Sequence, residues 1–282
     1  MKQSISNLLF FIFTLLLLSS CTGTTSAPKL SKMEKEQAKA SKDYRNSEKW
    51  GEAGSQIIDV APFHSVRTEG HVEIVYMQSE TCSVKAFGNT KAIEQYEYQV
   101  NEATGLLEIK LKDYHYDQAG NFDDDIPGIT VFVTSPFLED VHVYGAGDVG
   151  IKSDLRQQRD LNIYVLGKGD VDAKEIEALG LRIDINGKGD VNLKKAECKG
   201  NATFTLNGKG DVSAKVECAN THIEVNGEGD VKLKVKCNDL TAICNGKGDI
   251  VLRGECNTLN KHDGAAAAID SRNLKAKRVK LI

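Results

Sequence analysis

The sequence predicts an all-β fold, a single-stranded parallel β-helix (β-solenoid) with coils of ~20 residues. Three observations carry that prediction. First, one phrase recurs six times: YGAGDV from Tyr144, LGKGDV from Leu166, NGKGDV from Asn186 and from Asn207, NGEGDV from Asn226 and NGKGDI from Asn245. The first glycines, Gly145, Gly167, Gly187, Gly208, Gly227 and Gly246, are spaced by 22, 20, 21, 19 and 19 residues, a repeat period. Second, apolar residues alternate with polar ones on both sides of each phrase, as in Leu161, Ile163, Val165 before it and Val171, Ala173 after it. A period of two means strands with one buried face. Third, other residues keep column: Asn186, Asn207, Asn226 and Asn245, and Cys198, Cys218, Cys237 and Cys256 at 11, 10, 10 and 10 residues past the first glycine.

Alternation alone also fits an antiparallel β-meander of hairpins, because Asn-Gly is a hairpin signal. The columns favour the solenoid. In a meander, equivalent residues sit on every second strand, ~10 Å apart, with no reason to match. In a solenoid they stack at ~4.8 Å, where asparagines can form an amide ladder and small cysteines can fill one lane of the core.

In chain order, residues 1–20 read as a lipoprotein signal peptide. Lys2 precedes an apolar run, Leu8–Leu18, of 11 residues, too short to span a bilayer, which takes ~20. Leu18, Ser19, Ser20 and Cys21 then resemble a lipobox, which implies lipid attachment at Cys21. Residues 21–52 read as the lipidated N-terminus and a flexible charged tether, with a frayed helix between Ser31 and Trp50. Residues 53–282 read as the solenoid domain, divided into degenerate N-terminal coils (53–143) and G-x-G-D repeats (144–270).

Each position in the phrase has a structural explanation. Glycine supplies the positive φ a corner needs, and the aspartate accepts backbone N–H groups of the turn. The rival reading is a calcium column of Asp148, Asp170, Asp190, Asp211, Asp230 and Asp249, since like charges ~4 Å apart repel by about 1 kcal/mol in water. Lys168, Lys188, Lys209 and Lys247, two residues before four of those aspartates, are expected as their counterions or as a basic stripe for anionic glycans. The cysteine column is expected to hold reduced core thiols, because stacked side chains that point the same way suit a disulfide poorly. Cys244 falls on the buried face and Cys82 has no assignment.

The remaining chemistry is sparse. NFDDDIPG (Asn121–Gly128) places three carboxylates in a loop, where a polar tip and a calcium or catalytic site are both open. His64, His71, His115, His142, His222 and His262 are scattered, and no Ser-His-Asp order, G-x-S-x-G, HExxH or phosphate loop occurs. A formal net charge of −4 gives no basic footprint for nucleic acid.

The six phrases, together with APFHSVRTEGHVEIVYMQ (Ala61–Gln78), LLEIKL (Leu106–Leu111) and VFVTSPFLEDVHVYGAGDV (Val131–Val149), resemble the head GIN domain. That family is described as "putative auto-transporter adhesin" and is common in envelope lipoproteins of Bacteroidetes. The resemblance covers roughly Ile57–Ile282 and implies a single-chain parallel β-helix without enzyme activity or cofactor. One departure is DGAAAAID (Asp263–Asp270), which lacks the second glycine and its aspartate, so the closing of the last coil is in question. The expected function is a lipid-anchored outer-membrane protein, on either membrane face, that presents a rigid solenoid for adhesion or binding. Its expected partners are the membrane, through acylated Cys21, and a glycan or envelope protein. The alternative is a β-helix polysaccharide lyase or hydrolase, which needs a groove where two carboxylates and an Arg or Lys converge.

Overall fold

A computed structural model describes residues 31–112, 126–264 and 268–282. Cys21, the signal segment, His115 and the carboxylates at Asp123, Asp124 and Asp125 lie outside the described residues.

From residue 140 onward each coil contributes a short strand before the glycine phrase and a longer one after it. Leu161–Val165 and Val171–Ala178 form one coil, Leu181–Ile185 and Val191–Cys198 the next, Ala202–Leu206 and Val212–Glu217 the third. Equivalent strands pair in parallel and in register: Ile163 with Ile183 and Ile183 with Phe204, Val171 with Val191 and Val191 with Val212. The chain is therefore a β-solenoid of about seven turns, and the antiparallel meander is excluded. The last coils run as long continuous strands, Val231–Cys244, Ile250–Asp263 and Ile269–Leu281, again in parallel.

Alternation buries one side of each strand, so stacked coils make continuous lanes. Val143, Val165, Ile185, Leu206, Val225 and Cys244 form one; Val149, Val171, Val191, Val212, Val231 and Ile250 form another, and every member is buried. In Val171–Ala178 the alternation slips at Lys174 and Glu175, both exposed, and the buried positions move from Val171 and Ala173 to Ile176 and Ala178. The chain bends there and gains a third side. Unequal coil lengths are absorbed at the same bend: the register shifts between Leu193 and Ala196 opposite Val212–Glu217.

The corners correct the expected role of glycine. Among the described residues positive φ falls at Gly51, Gly70, Gly105 and Gly254, none in the six phrases. What the phrase glycines supply is room. A Cβ on Gly208 would lie 2.0 Å from the carbonyl oxygen of Gly187, and one on Gly210 2.0 Å from that of Gly189. Backbone rests directly on backbone at this corner, and only a residue without a side chain fits.

The N-terminal part departs from simple coiling. The coil made by Ser65–Thr68 and Val72–Gln78 does not start the stack. It lies between a coil made later in sequence, from Leu106–Leu111 and Ile129–Ser135, and the coil of Asp140–Val143 and Val149–Ile151. Beyond that end the pairing turns antiparallel: Ala53–Ile58 on Ser83–Asn89, Ser83–Asn89 on Ile129–Ser135, and Tyr96–Asn101 on Leu106–Leu111. Residues 53–143 are thus two parallel coils under an antiparallel cap, not a run of degenerate coils.

The tether expectation is also corrected over residues 31–52. An α-helix spans Lys32–Asp43, started by a capping box in which Ser31 Oγ accepts from the Glu34 N–H and a Glu34 carboxylate oxygen accepts from the Ser31 N–H. Its sparse apolar residues are used for docking: Ala40 packs with Val75, Phe87 and Phe132 on the outer side of the strands, joined by Met33 and Tyr44. The Tyr44 hydroxyl lies 3.0 Å from Thr130 Oγ1, and Asn89 Nδ2 donates to the Arg45 carbonyl at 2.7 Å.

Candidate functional site

A groove of about 860 Å³ runs along the solenoid where the longer strand of each coil turns into the next short strand. Its ends are marked by Gln157 and Lys277, about six coil steps apart or ~29 Å at ~4.8 Å per step. The floor is one lane of small residues, Ala178, Cys198, Cys218, Cys237, Cys256 and Ala276. Short side chains here, between long ones on either side, open the groove. One wall carries Glu177, Glu197, Glu217, Lys236, Glu255 and Lys275; the other carries Gln158, Lys199, Asn238, Asn257 and Lys277.

The first wall is an ion-paired ladder. Arg156 Nε lies 3.2 Å from Glu177, Lys195 Nζ 2.5 Å from Glu197, Lys215 Nζ 4.0 Å from Glu217 and Lys236 Nζ 3.9 Å from Glu255. Lys195 holds the Glu197 carboxyl below its ordinary range by hydrogen bond and charge. Glu177 and Glu197, and Glu197 and Glu217, are register partners on adjacent coils.

The floor cysteines are free thiols. Cys198 and Cys256 are buried, while Cys218 and Cys237 are half-buried at the groove surface. Burial pushes the Cys198 thiol up to about 12 and Cys237 to about 11, and raises Cys218, Cys256 and Cys244 as well. Protonated thiols are poor nucleophiles and poor metal ligands. Cys218 Sγ instead lies 3.1 Å from Thr221 Oγ1 and donates to the Asn220 carbonyl.

The columns at the glycine corner lie away from this groove. The amide ladder is present: Asn207 Nδ2 donates to Asn186 Oδ1 at 2.9 Å, Asn226 to Asn207 at 3.0 Å and Asn245 to Asn226 at 3.0 Å. The six aspartates stack in the same way, but each uses one carboxylate oxygen to tie the next coil. Asp148 Oδ1 accepts from the Asp170 N–H at 2.8 Å, Asp170 from Asp190 at 2.7 Å, and Asp190 from Asp211 at 2.8 Å. Asp211 and Asp230 continue the series at 2.8 and 2.9 Å, and Asp249 accepts from Ala268 at 3.3 Å. Among the described residues no group of three or more His, Cys, Asp or Glu is placed to hold a metal ion.

The expected lysine counterions are not where the spacing put them. Lys209 and Lys247 pair with Glu228 at 2.7 and 3.1 Å and hold its carboxyl below the ordinary range. The cation beside Asp211 and Asp230 is Lys232, at 3.9 and 3.3 Å, on the following strand. Of the histidines, His142 stacks on Tyr164 at 4.7 Å, and burial lowers its pKa. His222 is largely exposed beside Glu224, and His262 Nδ1 meets the Ile282 carbonyl oxygen.

Sequence reasoning found the cysteine lane but missed the groove. The signal was present in the flanking positions, where long Glu, Lys, Gln and Asn side chains repeat beside every small one.

The family model "Putative auto-transporter adhesin, head GIN domain" matches residues 62–230 and 202–281. Three solved structures are similar. A "putative adhesin" from Bacteroides fragilis NCTC 9343 is 20% identical with a TM-score of 0.62, covering 85% of this chain and 99% of that one. A "putative adhesin" from Parabacteroides distasonis ATCC 8503 is 18% identical with a TM-score of 0.61, covering 85% and 100%. A "putative lipid binding protein" from the same organism is 16% identical with a TM-score of 0.50, covering 82% and 96%. No curated protein matches.

Proposed function

This chain belongs to the head GIN domain family, and from that premise we propose that it is a lipid-anchored protein of the outer membrane whose solenoid binds an extended partner without chemical conversion. One observation carries the binding reading: the groove is continuous across successive coils of a stack whose backbone is tied coil to coil by carboxylates and amides. Such a surface is rigid before the partner arrives, which lowers the ordering cost of association. The relatives named as adhesins and as a lipid-binding protein agree with a binding role in the cell envelope. Among the described residues no helix is long and apolar enough to cross a membrane, and the anchor is assigned to acylated Cys21.

One observation favours the hydrolase alternative. Glu177, Glu197 and Glu217 stand on neighbouring coils at ~4.8 Å, close to the ~5 Å of a retaining carboxylate pair. Against it, a general acid needs a carboxyl held above its ordinary range, and Glu197 is held below it. The ladder is also regular, with a cation beside each carboxylate.

The test uses cells making the full chain or its Cys21→Ser variant, fed labelled palmitate and fractionated. Label and outer-membrane recovery with Cys21, both lost in Cys21→Ser, are expected. An unlabelled wild-type protein overturns the anchor. Release of reducing ends from polysaccharide, abolished by Glu197→Gln, overturns the non-catalytic reading.

A further inference from the structure

We propose that the groove holds a linear, uncharged glycan whose chain runs along the solenoid axis, one sugar per coil; this rests on the binding reading above. Four observations converge on that ligand class. The strands run across the groove and their backbone groups are already paired from coil to coil. The Cys218 N–H donates to the Lys236 carbonyl at 3.0 Å, Ala219 to Gly200 at 2.8 Å and Asn238 to Ala219 at 2.8 Å. No open strand edge lies along the groove, so a peptide has nothing to extend by strand addition.

The walls are charge-balanced. Glu177, Glu197, Glu217 and Glu255 face Lys199, Lys236, Lys275 and Lys277, and such a lining has no net field to gather a polyanion or a polycation. An acyl chain fits no better, because it would desolvate charged walls along the whole length without replacing their hydrogen bonds.

The period matches. The groove repeats its polar groups every ~4.8 Å, and a β-linked hexopyranose chain advances by a comparable distance, so each sugar meets an equivalent set. Hydroxyls can donate to the glutamates and accept from Lys199, Asn238 and Asn257. Finally, the shallow floor of alanine and cysteine leaves room for the C–H face of a sugar ring, and the volume of about 860 Å³ lies within the ~300–1,000 Å³ of ligand sites.

The full chain would be titrated by calorimetry with gluco-, manno- and chito-oligosaccharides of one to eight sugars. Polygalacturonate and phosphatidylethanolamine–phosphatidylglycerol vesicles serve as comparators. The expected result is one neutral series that tightens with each added sugar and levels off at about six. Lys236→Ala and Asn238→Ala, both checked for unchanged melting, should weaken it about tenfold each, the loss of roughly one well-placed hydrogen bond. Lys188→Ala, at the glycine corner, should change nothing. Affinity independent of chain length, preference for polygalacturonate or vesicles, or no binding of any neutral series overturns the proposal. If wild type and Lys236→Ala coat envelope preparations equally while no oligosaccharide binds, the glycan assignment falls and the adhesion reading stands. If neither occurs, both fall.

Discussion

Between residues 140 and 282 each coil lies on the coil that precedes it in sequence, with partners 19 to 22 residues apart. Before residue 140 that rule fails. The coil of Ser65–Thr68 and Val72–Gln78 is clasped between one formed some 40 residues later and the first coil of the repeat region, and the free side is sealed by antiparallel strands. The repeat region can therefore grow by short loop closures, one coil on the next, and its stability approximates a sum of neighbour terms. The N-terminal end must close longer loops before it gains anything, which slows folding but blunts an edge the repeats leave open. The two regions also bury different titratable groups: tyrosines at the N-terminal end, thiols in the repeats.

Glycine substitution should separate the regions most sharply. Gly208→Ala drives a Cβ to 2.0 Å from the Gly187 carbonyl oxygen, and that coil contact must open. A loss on the order of 4 kcal/mol is expected in urea denaturation. Gly54→Ala, in the N-terminal cap, meets nothing nearer than Thr90 Cγ2 at 3.5 Å and should stay within about 1 kcal/mol of wild type. Equal effects would break the claim that only the repeat corner needs backbone-on-backbone contact.

Alkaline titration should come next. A thiol whose folded pKa is raised leaves stability intact below its unfolded value of ~8.5 and removes it as pH climbs toward the folded value. For Cys198 the folded value is about 12, so the loss runs from ~8.5 upward. Cys198→Ala, which puts in the residue that Ala178 already places in that lane, should spare about 2 kcal/mol of the loss at pH 10. Tyr76, pushed up to about 12 by burial, should instead destabilise the N-terminal end only above pH ~10. Stability falling in both regions over one common window would contradict this division.

Smaller effects refine the picture of the glycine corner. Asn226→Ala removes ladder bonds to both neighbours and should cost about 1 kcal/mol, since the ladder is exposed. Asp211→Asn keeps an acceptor for the Asp230 N–H while deleting one charge from the column. It should shift stability by less than about 0.5 kcal/mol at ~0.1 M salt and favour the fold as salt is lowered. A calcium-dependent rise in Tm that Asp211→Asn abolishes would assign that column to a cation instead.

Much of the repeat region was legible because its signals are local. Alternation, phrase spacing and the columns at Asn207 and Cys218 each report a contact with an equivalent residue one period away. The role of Gly208 was misread because a glycine needed for room and one needed for positive φ look alike in sequence. The N-terminal stacking order was not legible, because Val84 and Tyr96 carry no phrase to show which strand they pair with. The docking helix left a trace that could have been used. Ile129–Ser135 is buried at every position, and an unbroken run such as Ile129-Thr130-Val131-Phe132-Val133 signals a strand covered on both faces. The cover over Phe132 is the helix at Ala40.

Because glycine at the corner lets backbone touch backbone, the pitch of the stack is set by peptide geometry and not by side-chain size. The length of the groove is then quantised. Adding or deleting one phrase-bearing unit would change the number of subsites by one and leave every other subsite unaltered, which makes this architecture a ruler graduated in steps of ~4.8 Å.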